Sequence, residues 1–147
     1  MNCLNPPDRV SEIHRILQHG SSTMAVANKI LVVDDEEALR TVLSSELESE
    51  GYLVQSAGDG EAAMKILGEQ DFHLVLLDIK MPNVDGFEVL KFLKQKHPQT
   101  KVIMLTGFAD LKNAIESKKL GAEDFVSKPY DLVDLLTTVE RVLGTSA

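Results

Sequence analysis

A small set of polar residues stands at the positions where apolar segments of the sequence end. The set holds three carboxylates, one hydroxyl and one ammonium group: Asp34, Asp35, Asp78, Thr106 and Lys128. Two like charges ~4 Å apart repel by about 4 kcal/mol at an effective dielectric of 20, so gathered carboxylates need cations beside them. The lysine supplies one positive charge, and a hard divalent ion, Mg²⁺ or Mn²⁺, supplies the rest. A metal-bound phosphate beside a carboxylate then indicates phosphoryl transfer to that carboxylate.

Each member of this set also has an ordinary structural interpretation. Asp34 or Asp35 could cap a helix that begins near Glu36, because Asp is a favoured N-cap residue. The other members could be turn, strand-exit and loop residues. Capping accounts for one acid at one strand end, but not for acids, a hydroxyl and a lysine at the ends of several strands.

The surrounding pattern predicts alternating strands and helices. Three apolar tetrads are typical of strands covered on both faces, and two weaker segments complete a set of five: residues 30–33, 74–77 and 102–105, with 53–57 and 124–127. Amphipathic helical patterns lie between them, and glycines stand near the predicted helix ends, where a left-handed closing residue is common: Gly51, Gly68, Gly121 and Gly144. Five consecutive βα units predict an α/β fold, a five-stranded parallel sheet with helices on both faces. Since the carboxyl ends of such strands form one crevice, the polar set is expected to converge there.

Composition and charge restrict the class of protein. The 147 residues suffice for one domain with a core, and the 44% apolar and 26% charged content is that of a globular protein. The net charge of −8, without a basic stripe, argues against direct contact with nucleic acid. The sequence has neither the ~18 consecutive apolar residues of a membrane span nor a signal-peptide pattern, so a cytoplasmic protein without membrane contact is expected.

The first part of the chain differs from the rest. In residues 1–28, Val10, Ile13 and Leu17 fall on one helical face, which indicates a short helix, and residues 20–23 have the composition of a linker. We therefore predict an N-terminal extension over residues 1–28 and a main domain over residues 29–147.

Four motifs that contain the polar set resemble the receiver domain of two-component response regulators. They are VVDDEEALR, LLDIKMPNVDGFEVL, MLTGFAD and DFVSKP, and they stand in the family's order between residues 29 and 144. The resemblance implies a flavodoxin-like (βα)5 fold with strand order 2-1-3-4-5.

The resemblance also implies roles for the acids. Asp78 corresponds to the phosphoacceptor, which attacks a phosphohistidine on a sensor histidine kinase or phosphotransfer protein or, in some members, a small phosphodonor. Asp34 and Asp35 correspond to the acid pair that binds Mg²⁺, together with Asp78 itself and the backbone carbonyl of Lys80. Catalysis in this arrangement is positioning and charge neutralisation.

The remaining members have roles after transfer. Thr106 corresponds to the hydroxyl that bonds a phosphoryl oxygen, Lys128 to the lysine that pairs with the phosphoryl group, and the Lys128–Pro129 bond is expected to be cis. Phe125 corresponds to an aromatic switch, whose ring turns inward when the threonine moves and thereby remodels the face made by the fourth helix, fifth strand and fifth helix. Gly107 is expected to leave room for the phosphoryl group.

The implied function is a phosphorylation-driven binding switch, not a metabolic enzyme, that catalyses only its own phosphorylation and dephosphorylation. The resemblance further implies a downstream protein or effector domain of unknown identity and a phosphorylation-dependent homodimer.

Lys80 and Phe108 occupy positions that tune hydrolysis of the phosphoryl group in the family. Neither is an obvious orienter of water, so the phosphoryl group is predicted to outlive that of fast-resetting chemotaxis regulators.

The sequence bears on three other functions. A phosphatase or phosphotransferase of the haloacid dehalogenase type would place a second Asp two residues after the nucleophile, where this sequence has Lys80. A flavodoxin-type electron carrier would need a Ser/Thr/Gly-rich phosphate loop after the first strand, which this sequence lacks. A receiver that serves as an interaction module without phosphorylation stays open.

Overall fold

Strands and helices alternate along the chain from Lys29 to Gly144. The structure, a computed structural model, describes residues 27–107 and 111–144, without the side chain of Leu111. Strands β1 to β5 span Lys29–Val33, Leu53–Ala57, Leu74–Asp78, Lys101–Thr106 and Asp124–Ser127. Helices α1 to α5 span Glu37–Ser49, Gly60–Glu69, Gly86–Lys96, Leu111–Lys119 and Leu132–Gly144. The predicted N-terminal helix and linker lie outside the described residues, as does Phe108.

The five strands form one parallel sheet in the order β2-β1-β3-β4-β5, which confirms the predicted fold class and strand order. The chain adds β2 on one side of β1 and then crosses to place β3 on the other side, so strand order reverses between β1 and β3. Val33 pairs with Leu77 in this register. The residues that follow, Asp34 and Asp78, therefore come side by side at the point where parallel sheets bind ligands.

The sheet is covered on both faces because successive side chains of a strand point to opposite sides. One set of buried side chains packs with α2 and α3: Leu31, Val33, Val75, Leu77, Val102 and Met104. The alternate set packs with α1 and α5: Ile30, Val32, Leu74, Leu76, Ile103 and Leu105. Strand β3 is buried along its whole length, which accounts for its unbroken apolar run before the final aspartate. Within the described part of the chain, no helix has the length and apolar character needed to cross a bilayer.

Two of the four glycines predicted to close helices do so in the left-handed conformation. Gly51 after α1 has φ 99° and Gly121 after α4 has φ 106°. The prediction is wrong for Gly68 and Gly144, neither of which has a positive φ. Gly68 lies inside α2, which continues to Glu69 and ends on an extended Gln70, and Gly144 is the last residue of α5 itself.

The loop after β3 is held against the strand by a glycine. A Cβ atom on Gly86 would lie 2.3 Å from the carbonyl oxygen of Asp78, so no side chain fits at this position. The amide of Gly86 donates to the carbonyl of Ile79 at 2.8 Å, and Asp85 with Glu88 forms a reciprocal capping box at the start of α3. These contacts fix the peptide backbone that carries Asp78.

Candidate functional site

The carboxyl end of the sheet carries three buried polar residues. Asp78 and Thr106 are the last residues of β3 and β4 and not the first residues after them, and Asp34 follows β1 directly. Asp34, Asp78 and Thr106 are only 1%, 5% and 1% exposed. Because Asp78 pairs with Leu105, Thr106 lies one residue further along the neighbouring strand. The predicted convergence of these residues is therefore observed.

Lys128 reaches this edge from the end of β5. Its Nζ lies 2.7 Å from Asp34 Oδ2, 3.3 Å from Asp78 Oδ2 and 3.5 Å from Glu36 Oε1. Its backbone amide donates to the carbonyl of Thr106 at 2.7 Å, and the peptide bond that follows it, to Pro129, is cis as expected. Sequence reasoning missed the contribution of Glu36, although its position directly after the acid pair was a signal for it.

The backbone and one carboxylate oxygen of Asp34 are held by hydrogen bonds. Its amide donates to the carbonyl of Ala57 at 3.2 Å, its carbonyl accepts from Arg40 Nη1 at 2.7 Å, and its Oδ1 accepts from the amide of Glu36 at 2.9 Å. Helix α1 begins at Glu37, and the side chain of its N-cap residue, Glu36, makes no capping bond. The capping interpretation of the acid pair is therefore wrong, because Asp34 binds a loop amide before the helix begins.

Three carboxylates gather here. Oxygen atoms of Asp34, Asp35 and Asp78 lie within 4.8 Å of one another, and residues 27–107 and 111–144 contain no second group of three or more acidic, His or Cys side chains so placed. The three carboxylates and the ammonium group of Lys128 leave a formal excess of two negative charges. Asp34 Oδ2 is buried and accepts no well-directed hydrogen bond from the described residues, despite its ion pair with Lys128. An all-oxygen donor set with this charge fits a hard divalent cation such as Mg²⁺.

Burial and neighbouring charges shift the pKa values of three ionisable groups in the site. Burial raises the pKa of Asp78 to about 6, and the charge of Asp34 adds to this rise while Lys128 opposes it. Burial lowers the pKa of Lys128, but its close ion pair with Asp34 and the charge of Asp78 outweigh that effect, so the pKa lies above its ordinary value. Burial and the charge of Asp34 also raise the pKa of the Tyr130 phenol. Lys128 therefore stays protonated at neutral pH, while Asp78 is ionised against an unfavourable environment.

The other predicted residues lie around this cluster. The amide of Lys80 donates to Asp78 Oδ1 at 3.3 Å, and the ligand role of its carbonyl stays a prediction. A Cβ atom on Gly107 would meet no described atom within 4 Å, which agrees with the expected open space. Phe125 pairs with Met104 and packs half-buried against the core, and its switch role stays a prediction.

Fold and site define a known class of protein. The family model described as the response regulator receiver domain matches residues 30–140, and this chain belongs to that family. It is a receiver domain of the kind found in two-component systems, which confirms the resemblance stated above. Membership excludes the haloacid dehalogenase and flavodoxin interpretations.

Particular relatives give the degree of similarity. The regulatory protein AtoC of Escherichia coli (strain K12) is 37% identical over 120 residues, which cover 82% of this chain and 26% of AtoC. The nitrogen assimilation regulatory protein NtrX of Azorhizobium caulinodans is 34% identical over 122 residues, covering 82% of this chain and 27% of that protein. This chain spans about a quarter to a half of the length of the curated relatives it matches.

Solved structures agree with the fold. The receiver domain of NtrX from Brucella abortus has a TM-score of 0.75 at 34% identity, covering 79% of this chain and 98% of that chain. A CheY-like response regulator receiver domain protein from Methanospirillum hungatei JF-1 has a TM-score of 0.78 at 34% identity, covering 82% and 96% of the two chains.

Proposed function

We propose that this chain, over residues 29–147, is a receiver that accepts a phosphoryl group on Asp78 from a histidine kinase or phosphotransfer protein. The reaction depends on Mg²⁺ and switches a protein-interaction surface in two-component signal transduction. The observation that carries the proposal is the contact of one ammonium group, Lys128 Nζ, with both Asp34 and Asp78 inside a cluster of three carboxylates. That cluster pairs a carboxylate nucleophile with a cation site, as phosphoryl transfer to an aspartate requires.

In the proposed reaction, Asp78 attacks the phosphorus atom of a phosphohistidine. A new P–O bond forms as the P–N bond breaks, and the bonding electrons leave with the imidazole. Asp34 and Asp35, Asp78 itself and the carbonyl of Lys80 would hold the cation, which neutralises charge on the carboxylates and the phosphoryl oxygens when bound. The protein contributes fixed geometry, because the bonds to Asp34 and the Gly86 contact hold both acid-bearing segments before a donor arrives.

Lys128 changes partner in this proposal. It bridges Asp34 at 2.7 Å and Asp78 at 3.3 Å, so a small movement can exchange the longer contact for a phosphoryl oxygen while the shorter one remains. The Thr106 hydroxyl would bond another phosphoryl oxygen, and Gly107 leaves the space open. Movement of Thr106 then allows the Phe125 ring to turn inward, which alters the face made by α4, β5 and α5.

The partners follow from this switch. A downstream protein or effector domain would bind the altered face, and a homodimer formed through the same face is one such outcome. The acidic balance of the chain, with a net charge of −8, supports a protein partner rather than direct nucleic-acid contact by this chain.

Incubation with acetyl phosphate and Mg²⁺ tests the proposal by intact-mass spectrometry and size-exclusion chromatography. The wild type should gain one phosphoryl group and should not gain it in the presence of a chelator. Asp78→Ala should gain none, whereas Asp71→Ala, whose carboxylate is 94% exposed, should behave as the wild type. A gain in Asp78→Ala would refute the acceptor assignment. No gain in the wild type from either acetyl phosphate or a phosphorylated histidine kinase would favour the module that acts without phosphorylation.

A further inference from the structure

We propose that Arg40 is a positioning residue for the acid pair and acts through the peptide bond that joins Asp34 to Asp35. This inference rests on the proposed function, since it concerns how the chain prepares its cation site. Arg40 lies in α1, outside the cluster of carboxylates. The motif VVDDEEALR contains this residue, but the resemblance implied no role for it.

The contact concerns the backbone and not a carboxylate. Arg40 Nη1 donates to the carbonyl oxygen of Asp34 at 2.7 Å, a short charge-assisted bond in a half-buried position. The amide on the other side of Asp34 is tied to Ala57 at 3.2 Å. Both peptide groups of Asp34 are therefore held, one by strand β2 and the other by the guanidinium group.

Asp35 depends on this peptide more than Asp34 does. Asp34 has side-chain partners of its own in Glu36 and Lys128. The Asp35 side chain is exposed and has no hydrogen bond or ion pair among the described residues, although its carboxylate lies within 4.8 Å of the other two. The direction in which Asp35 leaves the chain is set by the plane of the preceding peptide, whose oxygen Arg40 holds. Fixing that plane before the ion arrives removes an ordering cost from cation binding.

A glycine makes room for the guanidinium group. A Cβ atom on Gly58, in the loop between β2 and α2, would lie 3.1 Å from Arg40 Nη1 and 3.4 Å from its Cζ. Gly58 does not have a positive φ, so alanine at this position tests space and not backbone strain. The position of the guanidinium group thus depends on two loops at the same edge of the sheet.

Positioning and simple electrostatics predict opposite results. A positive charge near a cation site repels the cation, so the removal of Arg40 would strengthen Mg²⁺ binding if only charge mattered. If Arg40 positions the acid pair, its removal weakens binding. Groups that orient metal ligands typically change metal affinity by about 10–100-fold, and about tenfold is expected here because the contact is one step removed from Asp35.

Isothermal titration calorimetry with MgCl₂ on the full chain tests the inference. Arg40→Ala should bind Mg²⁺ about tenfold more weakly. Arg40→Lys, which keeps a long donor, should recover part of the loss, and Arg141→Ala, which removes a guanidinium paired with Asp124, should match the wild type. At saturating Mg²⁺ the maximal rate of phosphorylation by acetyl phosphate should be preserved in Arg40→Ala, while the Mg²⁺ concentration at half-maximal rate rises. Unchanged or tighter binding by Arg40→Ala would overturn the inference.

A second variant separates positioning from a general loss of structure. Gly58→Ala should weaken Mg²⁺ binding when Arg40 is present and have no further effect in the Arg40→Ala background. Equal effects in both backgrounds would overturn the inference, and so the test stands even if Arg40→Ala melts at a much lower temperature. A wild type that binds no Mg²⁺ would instead refute the proposed cation site itself, so the two failures are distinguishable.

Discussion

Lys128 Nζ lies 3.3 Å from Asp78 Oδ2, although the two residues are 50 positions apart in the sequence. The same nitrogen lies 2.7 Å from Asp34 Oδ2, so one ammonium group joins the proposed nucleophile to a proposed metal ligand. Any change of charge at one carboxylate is therefore felt by the other through a shared partner.

Removing the charge of Asp78 should stabilise the metal-free protein at neutral pH. Its folded pKa of about 6 exceeds the ordinary 3.8, so the folded state holds the proton more tightly than the unfolded state. Stability therefore falls as pH rises from about 4 to 6, and the ionised group stays a constant cost above pH 6. Asp78→Asn should raise the free energy of unfolding at pH 7.5 by about 1–3 kcal/mol, as measured by urea unfolding in a chelator. Asp71→Asn is the control, and destabilisation of Asp78→Asn would contradict the prediction.

Loss of Lys128 should destabilise the protein through the carboxylates that it leaves behind. Lys128→Met leaves Asp34 and Asp78 without their ammonium partner and should cost about 2–4 kcal/mol in metal-free buffer. Asp78→Asn should stabilise Lys128→Met by more than it stabilises the wild type, because without the lysine nothing offsets the repulsion between Asp78 and Asp34. Urea unfolding of the four members of this cycle measures the coupling, with exposed Lys112→Met as the control. Strict additivity would count against a shared ion-pair network.

Asp35 should affect cation binding without affecting the metal-free fold. Because its side chain is exposed and has no hydrogen bond or ion pair among the described residues, Asp35→Asn should keep the metal-free unfolding free energy within about 0.5 kcal/mol of the wild type. Mg²⁺ at 100 times its dissociation constant stabilises a folded protein by about 2.7 kcal/mol, and this gain should shrink in Asp35→Asn. Thermal melts at increasing Mg²⁺ concentrations would measure this stabilisation in the wild type and in Asp35→Asn. An unchanged Mg²⁺ response would remove Asp35 from the ligand set.

The pH dependence of phosphorylation should move with the metal concentration. Asp78 must be ionised to attack, so at low Mg²⁺ the rate with acetyl phosphate should rise with pH around a midpoint of about 6. A bound cation favours the ionised carboxylate, so the midpoint should shift to lower pH as Mg²⁺ approaches saturation. Initial rates from pH 5 to 8 at several Mg²⁺ concentrations test this. A midpoint pH that does not change with Mg²⁺ concentration would show that the titrating group is not coupled to the cation site.

The lifetime of the phosphoryl group should depend on the residue two positions after the acceptor. Neither Lys80 nor Phe108 is an obvious orienter of an attacking water, so Lys80→Asn should accelerate autodephosphorylation, and so should Phe108→Glu. Loss of the phosphorylated mass with time, after removal of the donor, measures the rate. If neither variant is faster than the wild type, the prediction of a long-lived phosphoryl group fails.

The strand pattern and the convergence of the polar residues at one edge of the sheet could be predicted from the sequence because both depend on short-range regularities. Four apolar residues followed by Asp78 indicate a buried strand that delivers an acid to the sheet's edge, and parallel pairing brings Asp34 beside it. The contacts of Glu36 and Arg40 could not be predicted in this way, because they depend on how α1 sits against β1 and the loop after β2. The prediction that Gly68 closes a helix was wrong for a related reason. A glycine near a helix end closes the helix in the left-handed conformation only if the chain there takes a positive φ, and the position of the glycine in the sequence does not determine this.

The tight approach of Gly86 to Asp78 has a consequence for protein engineering. Because not even a methyl group fits between α3 and the end of β3, α3 can begin this close to the acceptor strand only with glycine at position 86. A graft of the acceptor aspartate into another parallel-sheet scaffold must therefore carry Gly86 with it, and a saturation library at position 86 should return glycine alone.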